Sequence, residues 1–203
     1  QTRKLFEVCR DRGVPLLTFV NKWDRPGRPP LELLDEVETQ LRLTPTPVTW
    51  PVGAADAFVG LVDRRDGRYV RFTRVARGAG EAGEETLDLD AVDDEAALEE
   101  LELLDAVGHD VRLEGFWKGE STPVFFGSAL TNFGVRLLLD GVVDLAPSPS
   151  HRQAVDGATR PLDSPFSAFV FKVQANMDPN HRDRIAFVRV CSGRFERGRV
   201  VTH

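Results

Sequence analysis

The period of the apolar positions changes several times along the chain, and each change marks an element. Residues 2–12 read as a helix, with Thr2 as its cap and Gly13 as its stop. Pro15-Leu-Leu-Thr-Phe-Val20 is a short, nearly unbroken apolar run, the pattern of a strand buried on both faces of a parallel sheet. It ends in Asn21-Lys22-Trp23-Asp24, and Arg25 to Pro30 predict an irregular loop. From Leu31 to Leu43 the spacing is helical, with Leu34, Val37 and Leu41 on one face and Pro29 and Pro30 suited to the helix start.

Residues 46–75 predict strands at 48–53, 58–62 and 69–75, the last two joined by an Asp66-Gly67 turn. A polar loop is expected from Gly78 to Glu84. An acidic helix is expected over Asp88–Val107, with Leu98, Leu101, Leu104 and Val107 as its stripe and Gly108 past its end. A second strand–helix unit follows. Pro123-Val-Phe-Phe126 is the buried strand, Gly127-Ser128-Ala129-Leu130 the turn, and Val135–Leu145 the helix, with Leu138, Leu139, Val142 and Val143 as its apolar side. The Pro/Ser-rich stretch from Ala146, polar as far as Ser164, predicts a linker. Beyond it the period becomes two. Strands are expected at 166–173 and 185–191 around a turn at 176–180, with a third beginning at Gly198, as in the opening of a small β-barrel.

Composition limits the classes of function. The 203 residues are 41% hydrophobic and 29% charged, which is globular and enough for a sizeable core in one or two domains. Apolar runs of five or six residues exclude a membrane-spanning helix, and no secretory leader pattern is visible. Cys9 and Cys191 are far apart and form no Cys-x-x-Cys, so a reduced, cytoplasmic setting is expected, without a zinc or redox motif. The first residue is Gln1, which suggests a piece of a longer protein. The formal net charge of −6 conceals an asymmetry. Residues 76–120 carry 15 acids and three bases, while the rest of the chain has a net charge of +6. A basic body is compatible with a polyanionic partner, although the acidic stretch also suits a solvated helix face.

The chemistry is concentrated after the first buried strand. In Asn21-Lys22-Trp23-Asp24, the Asp24 carboxylate can accept from both guanine N1–H and the exocyclic amino group. Adenine offers an acceptor at N1 and no amino group there, so the same carboxylate would be left unpaired. The Lys22 stem can lie along the purine face with its ammonium in polar surroundings, and Asn21 is suited to bracing the loop. The turn at Ser128, Ala129 and Leu130 follows another strand, where the Ala129 N–H can meet guanine O6. Ligands of open α/β sheets bind beyond the carboxyl ends of strands, where both motifs lie. The alternative is a structural turn at Asp24 and a small packing residue at Ser128. No Gly-x-x-x-x-Gly-Lys-[Ser/Thr] occurs, so these residues lack an evident phosphate cradle and are expected to be inactive alone. The four histidines show no metal spacing, and the three tryptophans suit packing. Six arginines, Arg182, Arg184, Arg189, Arg194, Arg197 and Arg199, fall within 18 residues. They suit contact with RNA phosphates, or equally an ordinary exposed barrel surface.

Residues 2–10, 18–25, 33–38, 48–53, 122–135 and 169–193, taken together, resemble the bacterial translational GTPases, specifically those that act as peptide chain release factors. The Gln174-Ala-Asn-Met-Asp-Pro179 and Thr49-Trp-Pro51 segments separate the chain from the translocase branch, which remains the alternative beside a module that binds no nucleotide. The resemblance implies an α/β fold: the C-terminal part of a P-loop-type GTPase domain over 1–146 with an inserted α+β subdomain at 47–120. A linker at 147–164 and the beginning of an all-β barrel domain at 165–203 would follow. It implies that Asn21, Lys22 and Asp24 match the guanine-specificity motif, and Ser128, Ala129 and Leu130 the last nucleotide loop. Trp23 departs from the usual aliphatic residue or Met. GTP or GDP would be the bound nucleotide, with the magnesium site and the P-loop before Gln1. The implied partners are the ribosome, both RNA and protein, and class I release factors, and the implied state is a monomer.

Overall fold

A computed structural model describes residues 2–73, 83–108, 112–175 and 184–202, apart from the side chains of residues 2, 3 and 152. The chain divides into two compact units, Gln1–Pro147 and Ser148–His203.

The first unit begins with α1 (Thr2–Asp11), β1 (Thr18–Val20) and α2 (Pro30–Leu41). Proline is tolerated in the first turn of α2, where its missing N–H would have had no intrahelical acceptor. Next come β2 (Thr44–Pro47), β3 (Thr49–Val52), β4 (Gly60–Asp63), β5 (Arg68–Thr73) and β6 (Gly83–Leu87). The unit is completed by α3 (Glu95–Val107), α4 (Leu113–Trp117), β7 (Ser121–Phe126) and α5 (Val135–Leu145).

Two sheets carry this unit. A parallel sheet has the order β1-β7-β2, and an antiparallel sheet has the order β3-β4-β5-β6. β7 is buried at every position and faces two cores. Alternation along the strand sends Phe125 to one side and Phe126 to the other. Phe125 packs with Val48, Phe116 and Leu145, and Gly141 lets α5 approach its ring. Phe126 packs with Trp23, Trp50, Phe133 and Leu137. Trp50 meets Phe126 edge-on at 5.6 Å, and the Thr49 hydroxyl accepts from the Phe126 N–H at 2.9 Å. The stretch 47–120 therefore shares one core with the parallel sheet.

The structure departs from the sequence expectations in several places. β2 contains Pro45 and Pro47; it is an edge strand paired only with β7, where missing donors are tolerated. The expected polar loop at 78–84 lies outside the described residues as far as 82, and Gly83–Leu87 forms edge strand β6. The acidic helix begins at Glu95, seven residues later than expected, because the Asp94 carboxylate accepts the Ala97 N–H and caps it there. Its buried residues are Ala97, Leu101 and Leu104, while Val107 is exposed. α5 buries Leu137, Gly141 and Leu145, and leaves Leu139 and Val143 in solvent. Both of those rows have helical spacing, and it is the Phe125 ring on the sheet that selects between them.

The second unit holds β8 (Arg152–Gln153), β9 (Thr159–Arg160), β10 (Ser167–Ala175) and β11 (Arg184–Ser192). β10 and β11 form an antiparallel pair; the turn expected at 176–180 lies outside the described residues. Residues 147–164, expected as a linker, contain the β8–β9 hairpin. Arg160 in this hairpin donates to the Ser192 hydroxyl at 2.9 Å and to the Pro165 carbonyl at 2.8 Å. The third strand expected from Gly198 does not form. Gly198 lies in a turn and residues 199–202 pair with no strand among the described residues. An extended segment without a ladder partner is not held as a strand.

Candidate guanine-recognition site

The two predicted loops leave the parallel sheet side by side. β1 and β7 are neighbours in register, Val20 opposite Phe126, so Asn21 and Gly127 emerge together at the carboxyl edge. Backbone bonds tie them: Gly127 N–H donates to Val20 C=O at 3.1 Å, and Trp23 N–H to Gly127 C=O at 3.0 Å. The Asn21 carboxamide oxygen accepts from Lys22 N–H at 2.8 Å and, 108 residues away, from Ala129 N–H at 3.0 Å. Lys22 has a left-handed backbone (φ 68°), uncommon for a side chain of this length, and its carbonyl accepts the Arg25 N–H at 3.0 Å. The turn thus formed holds Asp24. On the other loop, Ser128 N–H donates to Phe133 C=O at 2.9 Å and closes residues 128–133 into a compact bend.

Two polar atoms at this junction have no partner among the described residues. Asp24 is half-buried and its Oδ1 is shielded from solvent without a hydrogen bond; the Ser128 hydroxyl is fully buried and likewise unsatisfied. Buried polar groups are nearly always paired, so an orphaned carboxylate oxygen is a place where a donor fits. A guanine edge presents two such donors, and these residues suit that group. One expectation needs correction. The Ala129 N–H, expected to be free for guanine O6, is taken by Asn21 Oδ1. Contact with a base there requires exchange of that bond. Lys22 and Leu130 are exposed.

Sequence reading missed the part played by Trp23. Its position between Lys22 and Asp24 was the available signal. The indole is buried, donates from Nε1 to Gly53 C=O at 3.0 Å, and meets Phe126 edge-on at 4.9 Å. Trp50 is buried too, whereas Trp117 is half-exposed and donates to Leu145 C=O. The Trp50 indole donates to Glu100 at 3.1 Å. Burial raises the Glu100 pKa, this bond opposes the rise, and the nearby Asp94 charge adds to it.

The arginine cluster lies in the second unit, and Arg182 falls outside the described residues. Arg184, Arg189, Arg194 and Arg197 are exposed. Arg199 stacks over Phe166 at 5.4 Å and donates to Arg194 C=O. Arg184 and Arg189 are five residues apart on β11 and so do not share a face. Cys9 and Cys191 are both half-buried free thiols. Among the described residues no group of side chains could hold a metal ion, and no helix is long and apolar enough to cross a membrane. A cavity of about 480 Å³ lies between the β4–β5 turn and α5, lined by Asp63, Arg65, Arg68, Arg136, Asp140 and Asp144. It touches neither loop. Its arginines are already paired, Arg65 with Asp63 and Asp144, Arg68 with Asp88, and Arg136 with Asp140. The orphaned atoms lie at the two loops and not in this cavity.

A parallel sheet that delivers two loops to one carboxyl edge has the arrangement in which open α/β domains bind ligands. The family model described as elongation factor Tu GTP binding domain matches residues 1–148, and that described as elongation factor G domain 2 matches residues 165–203. The chain belongs to the family of GTP-binding domains that the first of these defines. Its similarity extends to proteins named peptide chain release factor 3. It is 49% identical to the one from Cyanothece sp. and 50% identical to those from Gloeothece citriformis and Gloeobacter violaceus, over its whole length in each case. The chain spans 39–40% of the length of these relatives.

Proposed function

We propose that a full-length protein carrying this chain is a ribosome-dependent GTPase of translation termination, and that these residues supply its guanine-reading loops. The observation that carries this reading is the orphaned Asp24 carboxylate oxygen beside the Ser128–Leu130 loop, on strands that deliver both motifs to one sheet edge. Asp24 accepts from guanine N1–H and the 2-amino group. Lys22 covers the ring face. Asn21 braces both loops, and Ala129 N–H passes from Asn21 to guanine O6. The Ser128 hydroxyl and Leu130 complete the second wall. No Gly-x-x-x-x-Gly-Lys-[Ser/Thr] occurs among the 203 residues, so by themselves they recognise a base without hydrolysing GTP. The names of the relatives support the termination role; the proposal extends it to the ribosome and class I release factors as partners, the cytoplasm as the setting and a monomer as the working state. The direct test is competition for a fluorescent GDP analogue on the full-length protein. GTP and GDP are expected to displace it, IDP more weakly, and ATP not even in large excess. Equal displacement by ADP would remove the reading.

The arginine cluster supports a second part of the same proposal, contact with ribosomal RNA. Among the described residues Arg184, Arg189, Arg194 and Arg197 form no ion pair. Arg194 and Arg197 are the most readily tested. Changing both to Gln in the full-length protein is expected to flatten the salt dependence of ribosome binding by about two in log–log slope, one per phosphate lost, at unchanged melting temperature. A lower melting temperature with an unchanged slope would make the cluster structural.

A further inference from the structure

Asp24 is set in place without any hydrogen bond to its buried Oδ1, so its position has to come from its neighbours. Trp23 is the neighbour that is tied on several sides. Its N–H reaches Gly127, its carbonyl accepts the Ala55 N–H at 3.0 Å, and its indole N–H reaches the Gly53 carbonyl at 3.0 Å. Gly53 is itself clamped. Its N–H donates to Asp94 Oδ2 at 3.1 Å, and its backbone is left-handed (φ 73°), with the Ala57 carbonyl where a Cβ would stand. The other Asp94 oxygen caps α3. A continuous run of bonds therefore leads from the base-reading turn, through the Gly53 peptide at the end of β3, to the first turn of the acidic helix.

The geometry points to Trp23 as the positioning residue for the Asp24 carboxylate, held from the antiparallel sheet through Gly53 and Asp94. This rests on the guanine reading proposed above. Trp23 touches no nucleotide in this scheme. It fixes the backbone on which Asp24 sits, so that both carboxylate oxygens meet the two guanine donors at once. If the indole bond is lost, the turn gains freedom and the two-point contact weakens, while contacts to the rest of the nucleotide stay.

The test uses the full-length protein and two nucleotides that differ only in the 2-amino group, GDP and IDP. Their affinity ratio reads the Asp24 contact and cancels phosphate and ribose binding. Trp23→Phe keeps a ring against Phe126 but removes the N–H, and is expected to lower the GDP-over-IDP ratio by roughly fivefold or more, one hydrogen bond's worth. Asp94→Asn keeps an acceptor for the α3 cap and opposes its amide to Gly53 N–H, and is expected to lower the ratio in the same direction from outside the loop. Asp24→Ala serves as the reference and is expected to bring the ratio near one. Melting temperatures are measured for all three. If Asp24→Ala collapses the ratio while Trp23→Phe and Asp94→Asn lower only the melting temperature, Trp23 is a packing residue and the inference is overturned, with guanine reading intact. If Asp24→Ala leaves the ratio unchanged, the guanine reading itself fails. Should Trp23→Phe not fold, the Asp94→Asn ratio decides alone.

Discussion

Asp24→Asn in the full-length protein is expected to turn a guanine nucleotide site into one that favours xanthine nucleotides. The carboxylate offers two acceptors to the two donors of guanine, and charge-assisted bonds of this kind contribute about 1.5–3 kcal/mol each. An amide presents one acceptor and one donor. Against guanine its NH₂ group opposes a donor, so the loss for GTP is expected to be about 3 kcal/mol or more, at least a hundredfold in affinity. Xanthine carries a 2-oxo group where guanine carries the amine, and the new amide donor meets it. The change removes a charge from a half-buried position where Oδ1 has no protein partner, so the fold loses no bond to that atom. Competition between GTP and XTP is the measurement. An unchanged preference at intact folding would show that Asp24 does not read the base.

Gly127→Ala is expected to have the other large effect, on stability and nucleotide binding together. A Cβ at Gly127 would overlap the Phe133 carbonyl oxygen and lie 3.0 Å from the Phe19 ring. That carbonyl is the acceptor of the Ser128 N–H, and Phe133 belongs to the core. Backbone on one side and a packed ring on the other leave no inexpensive relaxation. The cost is expected to be about 2–3 kcal/mol, as for overpacking elsewhere. In a domain of this size that lowers the melting temperature by about 5–10 °C. The same displacement moves Ala129 away from Asn21, so GDP binding is expected to weaken beyond the loss of folded protein. Gly27→Ala is the matched control. It lies on the neighbouring loop with no atom closer than 4.0 Å to the added carbon and is expected to change neither quantity. Equal melting temperatures for the two variants would show that the 127–133 bend is compliant.

Much of this architecture is legible in the amino-acid sequence, because the strongest elements carry local signals. The unbroken apolar run ending at Val20, the run ending at Phe126, the Val135–Leu145 helix and the turn at Gly67 all appear where period and turn chemistry place them. The residues Asn21, Lys22, Asp24, Ser128, Ala129 and Leu130 stood out for the same reason: side-chain chemistry at fixed spacing after a strand needs no knowledge of distant contacts. What the sequence could not determine depends on partners far along the chain. Strands β2 and β6 have poor intrinsic patterns, two prolines in one and two glutamates in the other, and form because a neighbouring strand offers a ladder to an edge. Which row of α5 turns inward is decided by the Phe125 ring, and where α3 begins is decided by the Asp94 carboxylate. The segment from Gly198 carries a strand pattern but pairs with no strand among the described residues. At the candidate site, the sequence singled out Asp24 by the chemistry of its carboxylate alone. Only the tertiary structure revealed that Asn21 holds Ala129 across 108 residues, and that Trp23 is bonded to Gly53, just past the end of a strand of the other sheet. Local patterns specify what a segment prefers to be. Long-range hydrogen bonds and close packing specify which atoms are held, and which, like Asp24 Oδ1, are left with no protein partner.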